Sequence, residues 1–156
     1  GGTNPGGAAT GPDGLLYVVN TGNYVEDGTV TIINPQTMRA EATVGGFGPG
    51  ARSISIDANG LAYVSSFGTG TVVWNTRDRT FVRDAKNPVC ARLASGACRG
   101  AFDAATDVQG NVYQAFFGSA RQGLAPQIFV YRAGTFALAD SISSVNGPAA
   151  IEIRSF

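Results

Sequence analysis

The sequence contains no histidine, and Lys86 is its only lysine. A Ser-His-Asp triad uses an imidazole as its base, so the absence of histidine excludes that form of nucleophilic catalysis. General acid–base chemistry near neutral pH would fall to a carboxylate in an unusual environment or to Lys86. Neither a Gly-x-Ser-x-Gly turn nor a phosphate-binding loop is present. The sequence therefore favours a binding protein over an enzyme.

Long hydrophobic runs and net charge are also lacking. The apolar segment 15–19 has the length of a strand, whereas a membrane-spanning helix needs roughly 18 or more consecutive apolar residues. Eleven basic residues balance eleven acidic ones, and no arginine cluster matches a nucleic-acid-binding signature. We therefore expect no transmembrane segment in this chain and no nucleic-acid partner.

Charged residues are scarce, at 14% of the chain, whereas glycine is abundant, with 22 residues. This balance is typical of short strands joined by tight turns rather than of long amphipathic helices. The hydrophobic fraction of 44% suffices for a core in a chain of 156 residues. We predict an all-β fold with almost no helix.

A turn that ends in glycine, followed three residues later by tyrosine, occurs three times: Gly14–Tyr17, Gly60–Tyr63 and Gly110–Tyr113. The second glycine follows the first by 46 residues and the third follows the second by 50. A period of this length is that of a β-propeller blade, in which four antiparallel strands form one sheet. The repeat therefore predicts a β-propeller with three visible blades.

The predicted blades cover about 1–46, 47–98 and 99–146, and residues 147–156 resemble the first strand of a fourth blade. Propellers close with four to eight blades, and an open ring exposes sheet edges. Of the ways to cover these edges, we favour further blades outside this chain. The alternatives are a second copy in a homo-oligomeric ring and docking into a larger complex. The chain begins at Gly1 without a signal-like segment, so we expect a preceding N-terminal piece that either was processed away or belongs to earlier blades.

In the first repeat, residues 17–20 read Tyr-Val-Val-Asn, residues 30–32 read Val-Thr-Ile, and residues 34–37 read Asn-Pro-Gln-Thr. This pattern resembles the YVTN family of propeller repeats. The third repeat, with Gln-Ala-Phe at 114–116, is closer to NHL-type and gluconolactonase-like propellers. The resemblance implies a blade rather than a reaction, because members range from surface-layer and secreted binding proteins to lactonases and other hydrolases.

Cys90 and Cys98 are the only cysteines and lie eight positions apart in a loop-like stretch. Without histidine, two cysteines cannot complete a zinc site, so we predict a disulfide. It would place the protein in an oxidising compartment, such as the periplasm, the cell surface or the secreted fraction. The alternative is a pair of reduced cysteines in a cytosolic loop.

Two columns of acidic residues follow from aligning the repeats. Gly7, Ser53, Asp103 and Glu152 share one position of the innermost strands, facing the central channel, and the carboxylates of Asp103 and Glu152 could hold calcium or another divalent metal. The alternative is a pair of solvated or hydrogen-bonded carboxylates. Asp57 and Asp107 precede the hairpin glycines by three residues, where aspartate usually accepts hydrogen bonds from nearby backbone.

Three long loops, at 23–27, 84–100 and 117–126, are where recognition would take place, because loops on a rigid scaffold carry binding residues. The stretch 77–99 is rich in basic residues and would suit an acidic partner, although such a run is also typical of a solvated surface. We predict partner contacts from seven loop residues: Tyr24, Glu26, Asp27, Lys86, Arg92, Phe117 and Arg121.

The sequence thus predicts a non-catalytic, extracytoplasmic propeller module that binds protein or serves as an accessory subunit of an envelope complex, without a cofactor. The alternative is a lactonase-like propeller hydrolase that holds a divalent metal in its central channel.

Overall fold

The computed structural model describes residues 2–144 and 146–154, and their regular secondary structure consists almost entirely of β-strands. One 3₁₀ turn spans Ala120–Gln122. The described strands are β1 (Pro5–Thr10), β2 (Leu16–Asn20), β3 (Asp27–Asn34), β4 (Arg39–Pro49), β5 (Ala51–Ile56), β6 (Leu61–Ser66), β7 (Gly70–Asn75), β8 (Phe81–Arg83), β9 (Asp103–Thr106), β10 (Val112–Phe116), β11 (Gln127–Tyr131) and β12 (Leu138–Ser143).

The strands pair in sequence order into three four-stranded antiparallel sheets, β1 to β4, β5 to β8 and β9 to β12. These sheets are called blades 1, 2 and 3. The all-β prediction with almost no helix is confirmed. No helix among the described residues is long and apolar enough to cross a membrane.

Each blade begins with a hairpin whose glycine takes a left-handed conformation, with φ of 78°, 82° and 82° at Gly14, Gly60 and Gly110. An aspartate braces the turn in blades 2 and 3, as predicted. Asp57 Oδ1 accepts hydrogen bonds from two backbone N–H groups of its own hairpin, at 2.9 Å each. Asp107 Oδ1 does the same at 3.0 and 2.8 Å.

Glycine and tyrosine recur together because each repeated tyrosine forms a hydrogen bond with an aspartate of the hairpin that contains the glycine. In blades 2 and 3 the tyrosine hydroxyls point back to the hairpin aspartates, and Tyr113 Oη donates to Asp107 Oδ2 at 3.2 Å. Burial, followed by the charge of Asp57, raises the pKa of Tyr63. The repeat is therefore one hydrogen-bonded unit that closes the hairpin between the first two strands of each blade.

The core between blades 1 and 2 is built around Trp74, which is fully buried. The rings of Tyr17 and Phe47 meet it edge to face, with centroids 6.0 and 5.7 Å away. Such perpendicular contacts add to the stabilisation from apolar burial. Apolar side chains of adjacent sheets thus hold these two blades together.

The core between blades 2 and 3 contains a buried polar side chain, Gln114. Its Nε2 donates to Thr71 Oγ1 at 2.8 Å and to the Val89 carbonyl at 2.9 Å, and its Oε1 accepts from Tyr131 Oη at 3.0 Å. The amide is therefore well satisfied without water. It ties β10 to β7 and to the connection that leads into blade 3.

Residues 147–154 carry no strand in this structure, and 155–156 lie outside the described residues. Ile151 N donates to Asp103 Oδ2 at 2.8 Å, which places this segment beside the first strand of blade 3. The first strand of a blade pairs with the second strand of the same blade, whereas residues 147–154 form no such pair. The fourth blade therefore stays a prediction.

Candidate functional site

Antiparallel order places the β2–β3, β6–β7 and β10–β11 loops and the β4–β5 and β8–β9 connections at one end of the blades. We call this end the loop face; it comprises residues 20–27, 46–50, 67–69, 84–102 and 117–126. Two of the three long loops predicted for recognition, 84–100 and 117–126, border one cavity there. A second cavity lies toward the first strands.

The inner cleft, of about 600 Å³, is bordered by the first strands of the blades. Three members of the aligned column, Gly7, Ser53 and Asp103, line it together, as the alignment of the repeats indicates. The fourth member, Glu152, is not among the lining residues. The full lining is Asn4, Pro5, Gly6, Gly7, Thr21, Tyr24, Arg52, Ser53, Phe67, Phe102, Asp103, Ala149 and Ala150.

Protein groups already engage both carboxylates of the predicted metal pair. Asp103 Oδ1 accepts from Ala104 N and Oδ2 from Ile151 N, at 2.9 and 2.8 Å. The exposed Glu152 accepts hydrogen bonds from Nε and Nη2 of Arg154, at 2.9 and 3.0 Å. Within residues 2–144 and 146–154, no three acidic or cysteine side chains cluster in a way that could hold a metal ion. Metal binding by this pair stays a prediction.

The outer pocket, of about 390 Å³, lies between the β8–β9 connection and the β10–β11 loop. Its lining is Phe67, Leu93, Ala97, Cys98, Arg99, Gly100, Phe102, Phe116, Phe117, Gly118, Ser119, Gln122 and Leu124. The predicted disulfide between Cys90 and Cys98 is confirmed, with Cα atoms 5.5 Å apart. It pins the connection back on itself and holds one wall of this pocket.

A row of three aromatic rings, called the aromatic row, separates the two cavities. Phe67 meets Phe102 edge to face at 4.7 Å between centroids, and Phe102 stacks on Phe117 at 5.0 Å. The guanidinium carbon of Arg52 lies 4.2 Å from the centroid of Phe102. Phe67 and Phe117 are 41% and 50% exposed, so the row presents apolar and cationic groups to the solvent.

The structure separates the predicted contact residues into two groups. Tyr24 lines the inner cleft and Phe117 the outer pocket, while Arg92 lines a third cavity beside the outer pocket. The others lie exposed on the loop face and border neither the inner cleft nor the outer pocket: Glu26, Asp27, Lys86 and Arg121.

Sequence reasoning missed Arg52, Phe67, Phe102 and Arg99. A signal for two of them was present, because Arg52 and Phe102 each come directly before a member of the aligned column, Ser53 and Asp103. Adjacent positions on the first strands of neighbouring blades meet at the same rim. No pattern in the sequence marks Phe67 or Arg99 as their neighbours.

The sheet order defines the class of the protein, a β-propeller segment with three blades, which confirms the predicted fold. Among solved structures, the chain is similar to the hydrazine synthase of Kuenenia stuttgartiensis, with 15% identity, a TM-score of 0.72, and coverage of 94% of this chain and 38% of that chain. It is also similar to the WD40 repeats of RRP9, with 8% identity, a TM-score of 0.67, and coverage of 95% and 41%. For the Dos1 propeller the values are 9%, 0.60, 94% and 35%.

At these identities the likeness shows the fold alone, and the chain spans about two fifths of the length of those proteins. No family model matches the chain. No curated protein matches it either. Membership of the YVTN or NHL families therefore stays a prediction.

Proposed function

We propose that this chain is a non-catalytic propeller module that binds a protein partner through its loop face, as an interaction or accessory subunit of an envelope complex. The observation that carries the proposal is the aromatic row with Arg52 stacked on it. Aromatic residues and arginine are enriched at the centres of protein interfaces and supply most of the binding energy there. The inner cleft beside this row would receive side chains of the partner.

Position-specific photocrosslinking tests this role. A benzoylphenylalanine replaces Phe117 on the aromatic row or, as the control, Met38, which is 81% exposed in the β3–β4 turn at the opposite end of the blades. In cells of the source organism, position 117 should yield one defined adduct that the Arg52→Gln variant weakens, and position 38 should not yield it. Equal adducts from both positions, or none from position 117, would contradict the proposal.

The extracytoplasmic setting is part of the same proposal and is supported by the disulfide, since such bonds persist in oxidising compartments. Rapid alkylation of thiols in intact cells, followed by mass spectrometry, should find Cys90 and Cys98 protected as a disulfide. Alkylated thiols at both positions would place the protein in a reducing compartment.

The second candidate is a lactonase-like hydrolase with calcium or another divalent metal at Asp103 and Glu152. One observation favours it: Asp103 and Ser53 both line the inner cleft. Metal analysis of the purified full-length protein, with Asp103→Asn as the comparison, tests it. A metal bound at one equivalent and lost in Asp103→Asn would support the hydrolase, and a metal-free protein with no response to added calcium would remove it.

A further inference from the structure

We propose that the outer pocket binds a small organic acid, namely an apolar body of about the size of a phenyl ring that carries one carboxylate, and that Arg99 recognises the carboxylate. This inference concerns a ligand rather than a binding surface, and it does not depend on the proposed protein-binding role. Two sources share the chemistry: a free aromatic acid and the C-terminal residue of a peptide.

The size and walls of the outer pocket suit such an apolar body. Its volume of about 390 Å³ is near the lower end of the range of small-molecule sites, roughly 300–1,000 Å³. Leu93, Phe116, Phe117 and Leu124 supply aliphatic and aromatic walls. A flat ring would bury apolar surface on several sides and stack against phenylalanine.

Arg99 supplies a cation that lacks a carboxylate partner. Its side chain is part-buried, and the guanidinium carbon lies 5.5 Å from the ring centroid of Phe116 and 5.4 Å from that of Phe129. Nη1 donates to the neutral Gln127 Oε1 at 2.8 Å. The one ion pair among the described residues is that of Arg154 with Glu152, so no acid of the described chain neutralises Arg99.

A part-buried, unpaired guanidinium in an apolar wall selects for an anion. The group carries five N–H donors, and burying a charge without a partner is costly. A carboxylate can accept two of these hydrogen bonds at once, in the planar geometry that arginine favours. The apolar walls exclude water and strengthen this contact.

The pocket is held open by constraints within each of its two loops. The disulfide fixes Cys98 in one wall. On the other side, Ser119 and Leu124 exchange two backbone hydrogen bonds of 2.9 Å, which closes the β10–β11 loop on itself. A preformed pocket avoids the entropy cost of ordering loops on binding.

The test measures the binding of two acids and their neutral amides to the full-length protein by calorimetry. The free acid is 3-phenylpropionate, and the chain-end mimic is N-acetylphenylalanine. We expect at least one acid to bind about tenfold more tightly than its amide, the discrimination given by one charge-assisted contact. The methyl signals of Leu93 and Leu124 should shift in NMR spectra on binding.

Arg99→Met should abolish the preference for the acid, whereas Arg132→Met should keep it, because Arg132 is exposed and lines neither cavity. The acid that binds more tightly identifies the source. Equal affinities of acid and amide, binding without shifts at Leu93 and Leu124, or an unchanged preference in Arg99→Met would overturn the proposal. The comparison on the unmodified protein stands even if Arg99→Met fails to fold.

Discussion

Tyr17 Oη donates a hydrogen bond of 2.6 Å to Asp13 Oδ2, although Asp13 does not occupy the position of the hairpin aspartates in blades 2 and 3. That position, three residues before the turn glycine, is Gly11 in blade 1. Asp13 also accepts from Leu15 N at 3.1 Å. In blade 1 an aspartate inside the turn thus takes both roles of the hairpin aspartates, because it accepts a hydrogen bond from the tyrosine hydroxyl and another from a backbone N–H of the hairpin. Glycine at position 11 leaves room for its carboxylate.

The Gly11→Ala substitution tests this exchange. A Cβ at position 11 would lie 2.6 Å from Asp13 Oδ1 and 2.8 Å from Tyr17 Cε2, so the carboxylate and the ring cannot both stay in place. We expect the free energy of unfolding, measured by urea denaturation, to fall by about 1–3 kcal/mol.

Gly45→Ala is the matched control, because the nearest atom to its added Cβ is Thr29 Cγ2 at 4.0 Å. It should change the free energy of unfolding by less than about 0.5 kcal/mol. A similar loss for both substitutions would show that the close contact at Gly11 is not the cause.

The buried tyrosines predict a loss of stability at alkaline pH. Burial, followed by the hydrogen bond to Asp13, raises the pKa of Tyr17 from 10.0 to about 12. Burial also raises the pKa of Tyr63 and Tyr131. Below pH 10 both folded and unfolded chains keep these protons. Above it the unfolded chain loses protons that the folded chain retains, so the free energy of unfolding falls as the pH rises to about 12 and beyond.

Absorbance of phenolate at about 295 nm, recorded soon after a pH jump, checks this expectation. The folded protein should ionise several of its tyrosines at higher pH than the urea-unfolded chain, and Tyr17→Phe should make the decline of stability with pH less steep. Coincident titration curves for folded and unfolded protein would contradict it.

Gln114→Leu should destabilise the contact between blades 2 and 3. The change leaves the buried hydroxyl of Tyr131 without its acceptor, which costs about 1–3 kcal/mol. Because the amide also holds the Val89 carbonyl, we expect faster hydrogen exchange at Thr71 N, which donates to that carbonyl.

Two further variants isolate this effect. Gln109→Leu changes an exposed glutamine in the turn and should have little effect on stability. Adding Tyr131→Phe to Gln114→Leu removes the orphaned hydroxyl and should recover part of the loss. Additive losses in the double variant would argue against direct coupling between the two side chains.

Replacing both Cys90 and Cys98 by serine should lower the free energy of unfolding by about 2–3 kcal/mol, the chain-entropy estimate for so short a loop. The unmodified protein treated with a reductant is the comparison and should show the same shift of the urea midpoint. An unchanged midpoint would mean that the hydrogen bonds of the connection already fix it.

Much of the fold was predictable because its signals are local. The Asn59-Gly60 hairpin determines how two adjacent strands pair, and the mostly apolar segments 61–66 and 127–131 form β6 and β11. The first strand of blade 1, rich in glycine, gave a weaker pattern because glycine supplies no side chain to pack.

The candidate site was predictable only in part, because it joins residues from different blades. Ser53 and Asp103 could be placed together by aligning repeats. The stacking of Arg52 on Phe102 and the contact of Arg99 with Gln127 depend on how neighbouring sheets and loops pack, and one sequence carries no record of that packing.

The two junctions between blades differ in how readily they can accept insertions and deletions during evolution. Gly50 alone separates β4 from β5, at a φ of 73° that favours glycine, and its added Cβ would come within 3.2 Å of Phe67. The junction between β8 and β9 instead takes up 84–102. Insertions and deletions can accumulate at the exposed tip of the second junction, residues 94–97, without disturbing the buried Val89 and Ala91, whereas a single residue between β4 and β5 leaves no room for them. Diversity of recognition would therefore arise beside the outer pocket.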